Sequence, residues 1–104
     1  MSDWKLSPES VAAVVSVRAR DGHADEVNNL LLQMAEVARA DDGTEIWIAH
    51  RDATESARFF VYELYRDRAA FRLHRNNETL NGLGKRLAAV AKDIDFVGGA
   101  PIDT

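Results

Sequence analysis

The chain has 104 residues, 46% hydrophobic and 29% charged, which predicts one folded domain without room for a separate cofactor-binding module. Its net charge of −4 argues against nucleic acid or an anionic membrane surface as a partner, because both need a positive field. The chain has no cysteine, which excludes disulfides and thiolate chemistry and favours a cytoplasmic location. No apolar run approaches the roughly 20 residues of a membrane helix.

Patterns of apolar residues predict a strand followed by a helix in the first part of the chain. Residues 11–19 (VAAVVSVRA) are β-branched or apolar at nearly every position, which is typical of a strand covered on both faces. Asp21-Gly22 indicates a turn, and a helix is predicted from His23. Its apolar residues form one stripe: Val27, Leu30, Leu31, Met34, Val37 and Ala38.

The middle of the chain predicts a β-hairpin. Residues 44–51 (TEIWIAHR) alternate, with His50 on one face and Trp47 on the other, and residues 58–65 (RFFVYELY) are aromatic or β-branched. Asp67 is placed to cap a helix that Asn76-Asn77 interrupts, and a further helix follows. Ile94–Val97 predicts a last strand, ended by Gly98-Gly99. The apolar residues of the further helix share one face: Leu80, Leu83, Leu87 and Val90.

The predicted order is βαββαβ, which indicates an α+β fold of ferredoxin-like topology. Such a fold has a four-stranded antiparallel sheet with the helices on one face. We expect the domain to span residues 11–98, between an N-terminal extension (1–10) and a C-terminal tail (99–104). The other sheet face would be apolar and would need a cover, which a second copy in a homodimer supplies.

One segment, residues 58–74 (RFFVYELYRDRAAFRLH), carries a family motif. It resembles the signature of the antibiotic biosynthesis monooxygenase family, in which a β-rich run is followed by the residue types found here at Glu63, Tyr65, Ala70, Phe71 and His74. Looser similarity extends over residues 11–98. The pattern is closest to quinol monooxygenase-like members and to members that process phosphorylated autoinducer-2.

The resemblance implies a dimeric α+β barrel with a cleft between sheet and helices. It also implies an oxidoreductase that oxygenates a small quinol or phenolic aromatic with molecular oxygen and no cofactor. Haem-degrading relatives ligate iron through a His that falls at Gly84 here, so the resemblance does not imply haem. The three histidines show no short metal-ligand spacing, and we predict no metal site.

The expected catalytic residues are His74, Tyr65 and Glu63. An imidazole with its ordinary pKa of about 6.5 can accept a proton at neutral pH, which makes His74 the candidate base. Tyr65 and Glu63 lie two apart on a strand, project to the same face, and could orient the substrate or the imidazole. The candidates for substrate binding are Trp47, His50 and Phe71.

Structural roles remain open for the same residues. Glu63 could be paired with Arg18 or Arg58, because a buried carboxylate needs a partner. Tyr65 and Trp47 could be packing aromatics, and His74 could hold a carboxylate or carbonyl. Basic residues around the helix break form either a solvated face or the mouth of a site for an anionic substrate: Arg66, Arg68, Arg72, Arg75, Lys85 and Arg86.

Two alternative functions also remain open. One is an isomerase or degradation enzyme for a small phosphorylated dicarbonyl, in which His74 moves a proton next to the carbonyl and basic residues bind the phosphate. The other is a ligand-binding dimer without catalysis. Val15 favours the latter, because many cofactor-free members of the family carry an Asn at that place.

Overall fold

The computed structural model describes residues 6–103, which form four strands and three helices. In chain order they are β1 (Val11–Ala19), α1 (Ala24–Ala40), β2 (Thr44–Arg51), β3 (Arg58–Tyr65), α2 (Arg68–Arg75), α3 (Glu78–Val90) and β4 (Ala91–Gly99). This confirms the ferredoxin-like βαββαβ order, with its second helical segment divided into α2 and α3. Residues 1–5 of the predicted extension and residue 104 of the predicted tail lie outside the described residues.

The four strands form one antiparallel sheet in the order β2-β3-β1-β4. The β2–β3 pairing confirms the predicted hairpin. Because side chains alternate along a strand, one face of the sheet carries the buried residues Val17, Phe59 and Val61, against which the helices pack. Within residues 6–103, no helix has the length and apolar character needed to cross a membrane.

The helices bury the apolar stripes that their sequence predicts. In α1, Val27, Leu30, Leu31 and Ala38 are buried, and all four predicted residues of α3 are buried. Side-chain caps fix the starts of α2 and α3, and the second of them lies at the break between the two helices. Asp67 accepts a hydrogen bond from the Ala70 N–H at 2.8 Å, and Asn77 accepts one from the Leu80 N–H at 3.1 Å.

The opposite sheet face, here called the outer face, carries large apolar side chains that remain exposed in the single chain. Five of them, one or two from each strand, are between 39% and 71% exposed: Val14, Ile48, Phe60, Tyr62 and Val97. The expectation that β1 is covered on both faces is therefore not met within one chain.

The last strand is longer than predicted. β4 runs from Ala91 to Gly99, and Gly98 and Gly99 pair with Ala13 and Ala12 of β1. The predicted end at Gly98-Gly99 is wrong, because pairing of an edge strand uses backbone groups that glycine also has.

Gly43 connects α1 to β2 in a conformation that other residues rarely adopt. Its φ is +86°, and a Cβ there would collide with the Cβ of Ala70. Its carbonyl also accepts the Arg66 N–H at 2.8 Å, so this turn holds the start of α2. Gly43 therefore helps to fix the position of the helix that carries His74.

We expect Gly43→Ala to lower the free energy of unfolding by about 2 kcal/mol, from backbone strain and the collision with Ala70. Gly82→Ala in α3 is the matched control, because a Cβ there meets nothing and alanine favours a helix by about 0.5–1 kcal/mol. Urea unfolding of both variants measures the effect. Equal stability of the two variants would contradict the close approach of Gly43 to α2.

Candidate active site

A cavity of about 890 Å³, here called the main cavity, lies between the helix-covered face of the sheet and the three helices. Its size is that of a pocket for a small organic ligand. Most of its wall is apolar, with Val15 and Val61 from the sheet and Leu31, Met34 and Leu87 from the helices. The polar or charged side chains on the wall are those of Trp47, Glu63, His74, Arg75, Asn81 and Lys85.

Glu63 and Tyr65 form a buried hydrogen-bonded pair. They lie two residues apart on β3 and face the helices, and the Tyr65 hydroxyl donates to Glu63 Oε1. Burial raises the pKa of the Glu63 carboxyl, and the hydrogen bond from the Tyr65 hydroxyl opposes that rise only in part. Burial, followed by the nearby carboxyl of Glu63, also raises the pKa of Tyr65. Tyr65 therefore remains a protonated hydrogen-bond donor.

His74 faces this pair from α2. Its Nε2 lies 3.6 Å from Glu63 Oε1, longer than a hydrogen bond, and its ring centroid lies 5.0 Å from that of Tyr65. Burial lowers the pKa of His74, Arg75 acts in the same direction, and Asp41 opposes it. His74 is therefore neutral at neutral pH and able to accept a proton.

Two wall residues each keep a buried polar atom unpaired. Among the described residues, neither His74 Nδ1 nor Trp47 Nε1 has a hydrogen-bond partner. Unpaired buried polar atoms are uncommon and need an explanation, such as a ligand or catalytic role. No group of three potential metal ligands occurs within residues 6–103.

The structure brings together most of the predicted site residues. Glu63, His74, Trp47 and Phe71 line the main cavity. Tyr65 does not reach the wall, because it is fully buried behind Glu63, where its ring packs against Phe71 and His74.

His50 lies elsewhere, on the outer face of the sheet. Its ring stacks on that of Phe60, with the centroids 4.4 Å apart. The structure therefore places His50 and Trp47 on opposite faces of the sheet, because they lie three residues apart on the same strand and side chains alternate along a strand.

The proposed pairing of Glu63 with Arg18 or Arg58 is wrong. Arg18 instead forms an ion pair with Glu55. Arg58 lies an odd number of residues from Glu63 on β3 and so points to the other face of the sheet.

Sequence analysis missed the contributions of α1 and α3 to the cavity wall. The helical stripe predicts only a core role for Leu31 and Met34 of α1. On α3, Asn81, Lys85 and Ala88 line the cavity beside the buried leucines, at spacings of four and three residues. That spacing predicts a shared face and was a usable signal.

The structure therefore combines an α+β fold with a mostly apolar cavity of ligand size, and an imidazole and a buried carboxyl lie on the wall of that cavity. The family model described as antibiotic biosynthesis monooxygenase matches residues 10–81. The chain therefore belongs to the antibiotic biosynthesis monooxygenase family, which confirms the resemblance found in residues 58–74.

Solved structures of low sequence identity share the fold. The PA3566 protein of Pseudomonas aeruginosa is 22% identical, with a TM-score of 0.84 over 96% of this chain and 100% of its own. Rv0793 of Mycobacterium tuberculosis is 22% identical, with a TM-score of 0.84 over 91% and 97%. A variant of SnoaB, a cofactor-independent oxygenase from Streptomyces nogalater, is 14% identical, with a TM-score of 0.82 over 92% and 96%. No curated protein sequence matches the chain significantly.

Proposed function

We propose that the protein is a cofactor-independent monooxygenase of a small quinol or phenolic aromatic, acting in the cytoplasm. The observation that carries the proposal is the position of His74, whose largely buried imidazole lies on the wall of a mostly apolar cavity of about 890 Å³, 3.6 Å from Glu63 Oε1. Family membership supports the oxygenase chemistry, and the fold is shared with SnoaB, a cofactor-independent oxygenase.

In this reaction His74 accepts the proton of a substrate hydroxyl or of an acidic ring C–H. The resulting anion is electron-rich enough to reduce oxygen, and the apolar wall excludes the water that would stabilise it. One oxygen atom enters the substrate as a new carbonyl, the other leaves as water, and the substrate supplies all the electrons. Glu63 Oε1, 3.6 Å from His74 Nε2, is the acceptor that the protonated imidazole would face, and Tyr65 holds Glu63 in place.

The test is oxygen consumption by the purified protein on a panel of hydroquinones and anthrones without added cofactor. The expected result is one oxygen consumed per substrate, with no accumulation of hydrogen peroxide. Peroxide formed in equal amount would indicate an oxidase instead. Substrate binding without oxygen consumption above the uncatalysed rate would favour the ligand-binding dimer.

We also propose that two copies pair through their outer faces. Five large apolar side chains, from all four strands, are exposed on this one face of the sheet, and an exposed apolar face is typical of a protein–protein interface. A two-fold axis lets one self-complementary face cover itself, because each copy presents the same side chains to the other.

Light scattering at micromolar concentration is expected to give twice the chain mass of 11.6 kDa. Val14→Lys, at the centre of the outer face, is expected to shift the mass to that of one chain, because a lysine there buries a charge against the partner. Leu32→Lys is the matched control, since Leu32 is 62% exposed on α1. A single-chain mass for the unmodified protein would refute the pairing.

A further inference from the structure

A second cavity, of about 330 Å³, lies beside the main cavity and is here called the basic cavity. Three arginines of α2, Arg68, Arg72 and Arg75, form one wall. Their spacing of four and three residues places them on a single helix face. Phe71, Arg75 and Phe96 line both cavities, so the two spaces are neighbours that share these side chains.

The charge on this wall is not balanced within the described residues. Among residues 6–103, Arg18, Arg51 and Arg66 each have a carboxylate oxygen within 4.0 Å, whereas the three arginines of the basic cavity have none. No acidic residue is among the described residues that line this cavity, in a chain with 17 acidic residues. Like charges three and four residues apart on a helix repel one another, and a bound anion would relieve that repulsion.

The rest of the lining of the basic cavity carries no charge. It includes Gly98 and Gly99 of β4, which is an edge strand, so its outward backbone groups have no strand partner within residues 6–103. Outward N–H groups of such a strand can donate to a bound oxygen. A Cβ at Gly99 would meet nothing, so there is space at this point.

We propose that the basic cavity binds the anionic group, a phosphate or a carboxylate, of the same ligand whose ring or carbonyl lies in the main cavity. Guanidinium groups bind both anions through paired, charge-assisted hydrogen bonds. The inference rests on the proposed function for the position of the reacting part of the substrate. It narrows the substrate class to aromatic or carbonyl compounds that carry a negative group beside the part that faces His74.

Calorimetric titration with three probes tests the proposal: 2-naphthol, 2-naphthoate and 2-naphthyl phosphate. At least one anionic probe is expected to bind about tenfold more tightly than 2-naphthol, with an advantage that shrinks as salt is added. A gain for the phosphate alone identifies a phosphate site, whereas equal gains identify a general anion site. Equal affinity for all three probes, or no binding of any, would overturn the proposal.

Single arginine substitutions test whether the tighter binding of anionic probes comes from the basic cavity. Arg72→Gln, in the wall of the basic cavity but not of the main cavity, is expected to remove most of the anion advantage and to leave 2-naphthol binding within about twofold. Arg68→Gln provides a second variant should the first fold poorly. Arg20→Gln removes an equal charge from an exposed residue that lines neither cavity and is expected to change nothing. An equal loss in Arg20→Gln would show a general effect of charge and overturn the assignment.

The failure of this inference can be told apart from the failure of the proposed function. An Arg72-dependent anion advantage without oxygen consumption would retain the binding site and refute the oxygenase. Oxygen consumption on neutral phenols, without tighter binding of the anionic probes, would retain the oxygenase and refute the anion-binding site.

Discussion

His74→Gln is expected to lower kcat/KM for the best substrate of the panel by about 100-fold or more, the usual contribution of a positioned general base. Gln keeps hydrogen-bonding capacity and similar volume but cannot accept a proton at neutral pH. His23→Gln is the matched control, because His23 is exposed before α1 and lines no described cavity. Oxygen uptake gives the rates, and circular dichroism checks the fold.

The pH profile provides an independent test of the same role. Because the pKa of His74 is lowered by burial, kcat/KM should be constant near neutral pH and should fall as acid protonates the imidazole, below its ordinary value of about 6.5. Activity in His74→Gln within twofold of the unmodified protein would show that the proton goes to another group.

Glu63→Leu is expected to lower the free energy of unfolding by about 3 kcal/mol, because the buried Tyr65 hydroxyl loses its acceptor. Glu63→Gln is the matched comparison, since its amide oxygen can still accept that hydrogen bond. Urea unfolding at fixed protein concentration measures both variants. Equal stability of the two would mean that the Tyr65–Glu63 hydrogen bond contributes nothing measurable.

The raised pKa of Glu63 also makes the free energy of unfolding depend on pH, in a direction that can be worked out. The pKa of Glu63 is raised in the folded state, so the folded state binds more protons than the unfolded one between the ordinary and the raised values. The stability from protonated Glu63 is present below the ordinary pKa and is lost as pH rises through the raised one. Relative to Glu63→Gln, the unmodified protein should therefore become less stable as pH rises through that interval.

The element order and most buried residues follow from local patterns in the sequence. The leucines of α3 recur at helical spacing, and Asp67 stands where a cap is needed, so neither requires knowledge of the rest of the fold. The alternation along β2 also separates Trp47 from His50. Assigning both residues to one site disregarded that period.

The composition of the cavity walls and the long-range ion pairs could not be predicted, because they depend on tertiary contacts that no local pattern contains. Whether Tyr65 lines the cavity or lies behind its wall depends on how Phe71 and His74 of α2 pack against β3. The ion pair of Arg18 with Glu55 joins residues 37 positions apart, at a register that the sequence does not show. The basic cavity likewise requires α2 and β4 to be neighbours.

The main cavity lies in the layer where the helices meet the sheet, so the proposed substrate site and the hydrophobic core share side chains such as Leu31, Val61 and Leu87. A ligand there completes the packing of these residues, and its binding is thermodynamically linked to folding. At 100 times its dissociation constant such a ligand adds about 2.7 kcal/mol to stability. Substitutions in this layer will therefore change ligand affinity and melting temperature together, and selection on one property constrains the other.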